Sequence, residues 1–130
     1  MTAHGTAVIG RDRYFTRIEI GGHRLGADEP VSNGGQDKGP APFDLLLAAL
    51  GACTAITLRM YADRKEWPLE RLEVGLRLTL GVEGAFRVER TLKPIGLDAD
   101  QRGRLAEIAE KTPVTLTLKN GLPIHTSLVS

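Results

Sequence analysis

The sequence predicts an α+β fold in which one long helix is buried against sheet. Two observations carry this. Between Asp44 and Arg59 the stretch "LLLAALGACTAITL" holds no charge, so about four helical turns are apolar or small on every side. Short alternating runs broken by turn residues precede that stretch, and a longer alternating pair follows it.

The first third reads as a three-strand meander. "GTAVIG" is one strand, and "RYFTRIEI" places Tyr14, Thr16, Ile18 and Ile20 on one side of the next. Gly21-Gly22 then marks a tight turn into "HRLGADEP". "VSNGGQDKGPAP" concentrates Gly, Pro, Asn and Asp and is expected to be a loop. Pro42 suits a first helical turn, where its missing donor costs nothing, and Asp44 complements the positive end of the helix. The helix is expected to end near Arg64, after a wet tail of Arg59, Asp63 and Arg64. Its small residues, Ala48, Ala49, Gly51, Ala52 and Ala55, would let a neighbouring element approach closely. "RLEVGLRLTL" and "GAFRVERTL" form the expected β-hairpin, with Val74, Leu76, Leu78 and Leu80 on one face. "DADQRGRLAEIAEKT" carries Leu105, Ile108 and Ala109 at helical spacing, with Asp98 or Asp100 as cap. The closing "PVTLTLKNGLPIHTSLVS" alternates Val114, Leu116 and Leu118 and is expected to be a C-terminal strand turning at Asn120-Gly121.

Composition narrows the function classes. A chain of 130 residues, 42% apolar and 25% charged, is expected to fold as a single domain over residues 1–130. Seventeen basic and sixteen acidic residues are intermixed, which leaves no basic field for nucleic acid or a membrane surface. The longest uncharged run, Leu45 to Leu58, is fourteen residues, short of the roughly 18 of a spanning helix, so no membrane segment is expected. One cysteine excludes an intramolecular disulfide framework, and residues 1–10 lack the pattern of a signal peptide. A cytoplasmic location is expected. His4, His23 and His125 have no metal-ligand spacing with Cys53, and "GGQDKG" lacks the phosphate-binding fingerprints, so neither metal nor cofactor is expected.

Two questions stay open at this level. A chain of this size cannot easily wrap a helix roughly 30 Å long on all sides, so either a second subunit covers it or the remaining strands close around it. Cys53 is either a small hydrophobe in a core or a reactive thiol. It lies about three turns into the helix, too deep for that helix's own dipole to act, so a reactive Cys53 would need an arginine from elsewhere.

"GADEPVSNGGQDKGPAPFDLLLAALGACTAITLRMYADRK" followed by "WPLE" resembles the OsmC/Ohr superfamily, the osmotically inducible and organic hydroperoxide resistance proteins. The DEP, GPxP and LLLAALGAC elements occur in order, and "GLDADQRGRLAEIAEKTPV" resembles the following segment. The resemblance implies an intertwined homodimer with its two long helices buried. It also implies thiol-dependent reduction of organic hydroperoxides by two cysteines, with an arginine and a glutamate organising the nucleophile. Cys53 falls on the peroxide-attacking cysteine, and Arg11 in "GRD" resembles the catalytic arginine, with Arg24 as a fallback. Phe43 and Leu46 would then line an apolar pocket for an organic hydroperoxide.

The sequence departs from that pattern twice. Phe43 stands where the hydroperoxide reductases carry the glutamate, and the nearest carboxylate is Asp44, turned by about 100° around the helix. The second cysteine's CPV element is "TPV" here, with Thr112 in its place. The expected activity is therefore a one-cysteine peroxidase in which an external thiol resolves the sulfenic acid. The alternative within the family is a dimer that binds a small apolar molecule without turning it over. Outside it, a helix wrapped by sheet also suits hot-dog thioesterases, with Asp44 as the working carboxylate, but the GPxP and GAC elements argue against this.

Overall fold

The computed structural model describes residues 2–129. The chain divides into two compact units, Met1–Leu46 and Leu47–Ser130. Strands β1 (Gly5–Ile9), β2 (Thr16–Ile20) and β3 (His23–Ala27) form an antiparallel sheet in that order, with Ile18 opposite both Ala7 and Leu25. Gly21 and Gly22 both have positive φ, as the two-residue turn between β2 and β3 requires.

The loop after β3 is organised by one side chain. Asp28 is 3% exposed, and its carboxylate accepts the backbone N–H of Tyr14, Glu29, Gln36 and Lys38 at 2.7 to 3.3 Å. Desolvation alone would raise its pKa. The four donors together outweigh that and hold the carboxyl below the ordinary aspartate value.

Helix α1 covers Pro42–Arg64, the bounds its sequence signals predict. Asp44 sits on its first turn, where Oδ2 accepts the N–H of Ala41 at 3.0 Å, one half of a capping box. The buried positions Leu50, Thr54, Leu58 and Ala62 recur every fourth residue and form a single stripe. Leu46 is 37% exposed, and Ile56 and Met60 are 54% and 56% exposed, so the elements of the unit Leu47–Ser130 do not cover their helix on every side. By length and composition α1 is apolar enough to cross a membrane. The uncharged run of fourteen residues understated this, because a spanning window tolerates a few charges; the core helix of a globular domain meets the same criterion.

Strands β4 (Arg71–Leu80) and β5 (Phe86–Ile95) form the hairpin, with Leu72, Val74, Leu76 and Leu78 opposite Pro94, Leu92, Arg90 and Val88. A Cβ on Gly51 would come within 2.6 Å of a Leu76 methyl, so at this point α1 lies directly on β4. Helix α2 (Ala99–Ala109) starts at Asp98, whose side chain accepts the Gln101 N–H while Gln101 accepts the Asp98 N–H. Its Leu105 and Ala109 pack with Leu58 of α1, bordered by Tyr61, Trp67, Leu72 and Leu92. Trp67 meets Tyr61 edge-on at 5.4 Å, as a packed aromatic.

The expected C-terminal strand is not formed. Pro113–Asn120 is a helix, α3, and residues 121–129 have no regular structure. Alternation of Val114, Leu116 and Leu118 favoured a strand by propensity. Tertiary packing overrode it, helped by Pro113 at the first helical position and Gly121 with positive φ just past the end.

Candidate functional site

Cys53 lies mid-way along α1 and is half-buried, with its thiol free of any disulfide. Its sulfur accepts the backbone N–H of Val114 at 3.4 Å and lies 4.0 Å from Thr57 Oγ1. Val114 is the second residue of α3, after Thr112 at the cap and Pro113 at the first position. The N–H groups of a first turn have no partner within their helix, and the helix dipole is positive there. Cys53 is too deep in α1 to feel that helix's own positive end, but α3 supplies one. The alternation of residues 113–120 reads as a strand and hid this; Pro113 and Gly121, placed as helix boundaries, were the available signal.

Thr112, at the position where the resemblance implies a second cysteine, is 1% exposed. Its Oγ1 donates to Ala109 O at 3.2 Å and lies 2.6 Å from Thr115 Oγ1. With that proton committed, Thr115 is the donor of the shorter bond.

Beside this pair stands a residue the sequence reading passed over. Arg90 of β5 has a side chain only 11% exposed. Its Nη1 donates to Thr54 Oγ1 at 3.0 Å and to Thr115 Oγ1 at 2.7 Å, and its Nη2 donates to Ala109 O at 2.9 Å and to Glu110 Oε2 at 3.1 Å. Glu110 balances the buried charge and also accepts from Lys119 at 2.9 Å. Lys119 first, and Arg90 second, hold the Glu110 carboxyl below the ordinary glutamate value against the opposing effect of burial. The signal for Arg90 was present in the alternation of β5: Phe86, Val88, Leu92 and Pro94 share its phase, so a cation stands in an apolar row. A cleft of about 420 Å³ opens beside it, lined by Leu50, Phe86, Val88, Arg90, Glu110 and Thr115 among others.

The other site residues expected from the sequence lie in the unit Met1–Leu46. Arg11 is exposed in the connection between β1 and β2. The Arg24 side chain is 89% exposed and pairs with Glu19 at 3.6 Å. Asp44 caps α1, as described. Phe43, half exposed, lines a cleft with the apolar Pro30, Ala41 and Pro42 and the acidic Glu29, Asp37 and Asp44. Leu46 is partly exposed on α1. Among the described residues no three His, Cys, Asp or Glu side chains come together in a way that could hold a metal ion.

Solved structures share this architecture. An OsmC-like protein from Mycoplasma pneumoniae superposes with a TM-score of 0.74 at 18% identity, over 93% of this chain and 89% of that one. An organic hydroperoxide resistance protein OsmC from Legionella pneumophila gives 0.66 at 23% identity, over 92% and 90%. The organic hydroperoxide resistance protein OhrB of Bacillus subtilis gives 0.63 at 23%, over 93% of both chains. No curated protein matches the chain in sequence. The family profile of OsmC-like proteins matches residues 35–127, most of the chain, from the loop before α1 through Cys53 and the hairpin to α3 and beyond. With that span matched and the same fold in its neighbours, the chain belongs to the OsmC-like protein family.

Proposed function

We propose that this protein is a thiol-dependent peroxidase that reduces organic hydroperoxides through Cys53. The observation that carries the reading is the Cys53 sulfur held against the amino terminus of α3, where the Val114 N–H would stabilise a thiolate. Family membership and the hydroperoxide resistance of its named structural neighbours support it. The Cys53 thiolate attacks the terminal peroxide oxygen and the O–O bond breaks. Sulfenic acid forms, and the alcohol leaves after taking up a proton. With Thr112 in place of a second cysteine, an external thiol condenses with the sulfenic acid, releasing water. A second thiol then frees Cys53 from the mixed disulfide. Arg11 is carried from the resemblance as the cation that holds the thiolate and polarises the peroxide. Phe43 and Leu46 are carried as substrate contacts, and Asp44 as the nearest carboxylate.

The working form in this reading is a cytoplasmic homodimer. Exposed Leu46, Ile56 and Met60 on α1 support a second copy there, since apolar side chains on a long helix gain by burial. The commitment of the Asp44 carboxylate to the Ala41 N–H favours one other reading, a family member that binds a small apolar molecule without turnover. Mass spectrometry after one equivalent of cumene hydroperoxide, with a sulfenic-acid trap present, separates the two. Trapping on Cys53, absent in Cys53→Ser, is expected of the peroxidase; an unmodified thiol in the folded protein would overturn it.

A further inference from the structure

We propose that Arg90 is a positioning residue of the Cys53 site, gripping the residue next to each partner of the thiol's hydrogen bond. Thr54 follows Cys53 on α1, and Thr115 follows Val114 on α3. One nitrogen, Arg90 Nη1, donates to both hydroxyls, at 3.0 and 2.7 Å, and so ties the two helices together one residue away from the N–H to sulfur contact. Nη2 adds the end of α2 through Ala109 O and Glu110. The four protons of the two terminal nitrogens match four acceptors on three elements, a fork that a point charge such as lysine cannot reproduce.

The position argues that this is more than packing. Arg90 faces inward opposite Leu76 in a row of apolar residues, where a leucine would fill the space at no electrostatic cost. Replacing a buried ion pair by apolar residues of similar volume is often neutral or stabilising, so the fold alone does not call for an arginine here. What the arginine provides, and leucine does not, is a fixed distance between α1 and the amino terminus of α3. Both threonines are spoken for as well. Thr54 donates to Leu50 O at 2.7 Å while accepting from Arg90, and Thr115 stands between Arg90 and the buried Thr112. The network leaves α3 one setting relative to Cys53.

This inference rests on the proposed role of Cys53 for its meaning, but its first readout does not need peroxidase activity. Amide hydrogen exchange at Val114 and the pH profile of Cys53 alkylation by iodoacetamide are measured for the wild type, Arg90→Lys, Arg90→Met and Thr115→Val. Single-turnover reduction of cumene hydroperoxide is followed in parallel. Expected are faster exchange at Val114, by about tenfold, and an alkylation profile moved to higher pH in both Arg90 variants, with lysine failing to restore it. Thr115→Val, which keeps shape and removes the Arg90 bond together with the bond to Thr112, moves both readouts the same way by less, because Arg90 keeps its other three acceptors, and decides the matter if Arg90→Met does not fold. Unchanged exchange and an unchanged profile in the folded variants, with only a lower melting temperature, would overturn the proposal. If wild-type Cys53 fails to reduce the peroxide while Val114 still responds to Arg90, the functional reading falls and the positioning role stands.

Discussion

The sulfur of Cys53 and the backbone N–H of Val114, 61 residues apart in sequence, meet at 3.4 Å. The contact joins the middle of one helix to the beginning of another. Val114→Pro removes the donor at a position where its N–H has no helical partner. A hydrogen bond of about 0.5 to 1.5 kcal/mol is lost, so alkylation of Cys53 at neutral pH is expected to slow by roughly two- to tenfold. Iodoacetamide kinetics, with circular dichroism to verify that α3 persists, check this.

Thr112→Cys restores the cysteine that the family pattern places there. Oxidation of this variant by cumene hydroperoxide is expected to stop at an intrachain disulfide with Cys53, and turnover with a dithiol to accelerate. The wild type, by contrast, is expected to reach sulfenic or sulfinic acid. Intact mass before and after a disulfide reductant distinguishes the products.

Asp28 makes the stability of the first unit pH-dependent. Its carboxyl titrates below the ordinary value of 3.8, so its contribution is complete above that value and is lost as pH falls below it. Wild-type protein is therefore expected to lose thermal stability through that acid window. In Asp28→Asn, whose amide cannot accept all four N–H groups, the protein should be less stable at neutral pH and this contribution to its acid response should vanish. Melting curves from neutral to about pH 3 test both halves of the statement.

Two substitutions on α1 separate core from dimer. Leu50 is 5% exposed, so Leu50→Glu buries an unpaired charge at a cost of several kcal/mol and is expected to prevent folding. Ile56 is 54% exposed in one chain, and Ile56→Glu should leave the fold intact while shifting sedimentation to the 14.1 kDa species. Equal sedimentation of this variant and the wild type would count against a dimer built on that face.

Much of the fold was legible because its signals are local. Pro42 and Asp44 set the start of α1, Gly21-Gly22 set a hairpin turn, and the Asp98 cap set the start of α2. Of the cluster at the start of α3, Cys53 and Thr112 were legible in the sequence. The partners of Cys53 come from elements whose contribution depends on tertiary placement: a backbone N–H carries no side-chain signature, and "PVTLTLKN" has strand propensity but helical boundaries. Arg90 could have been found, since one cation in the apolar phase of a strand asks for a buried partner.

Gly51 sets the azimuth of α1. With no side chain between them, the helix backbone rests on Leu76, and two residues further on Cys53 points about 200° round the helix axis from that contact. A larger residue at position 51 would not only push α1 off β4; it would also roll the helix, and a roll of a few degrees displaces the sulfur sideways across the end of α3. The cost of filling position 51 would thus fall on the placement of a sulfur two residues away, through rotation rather than distance.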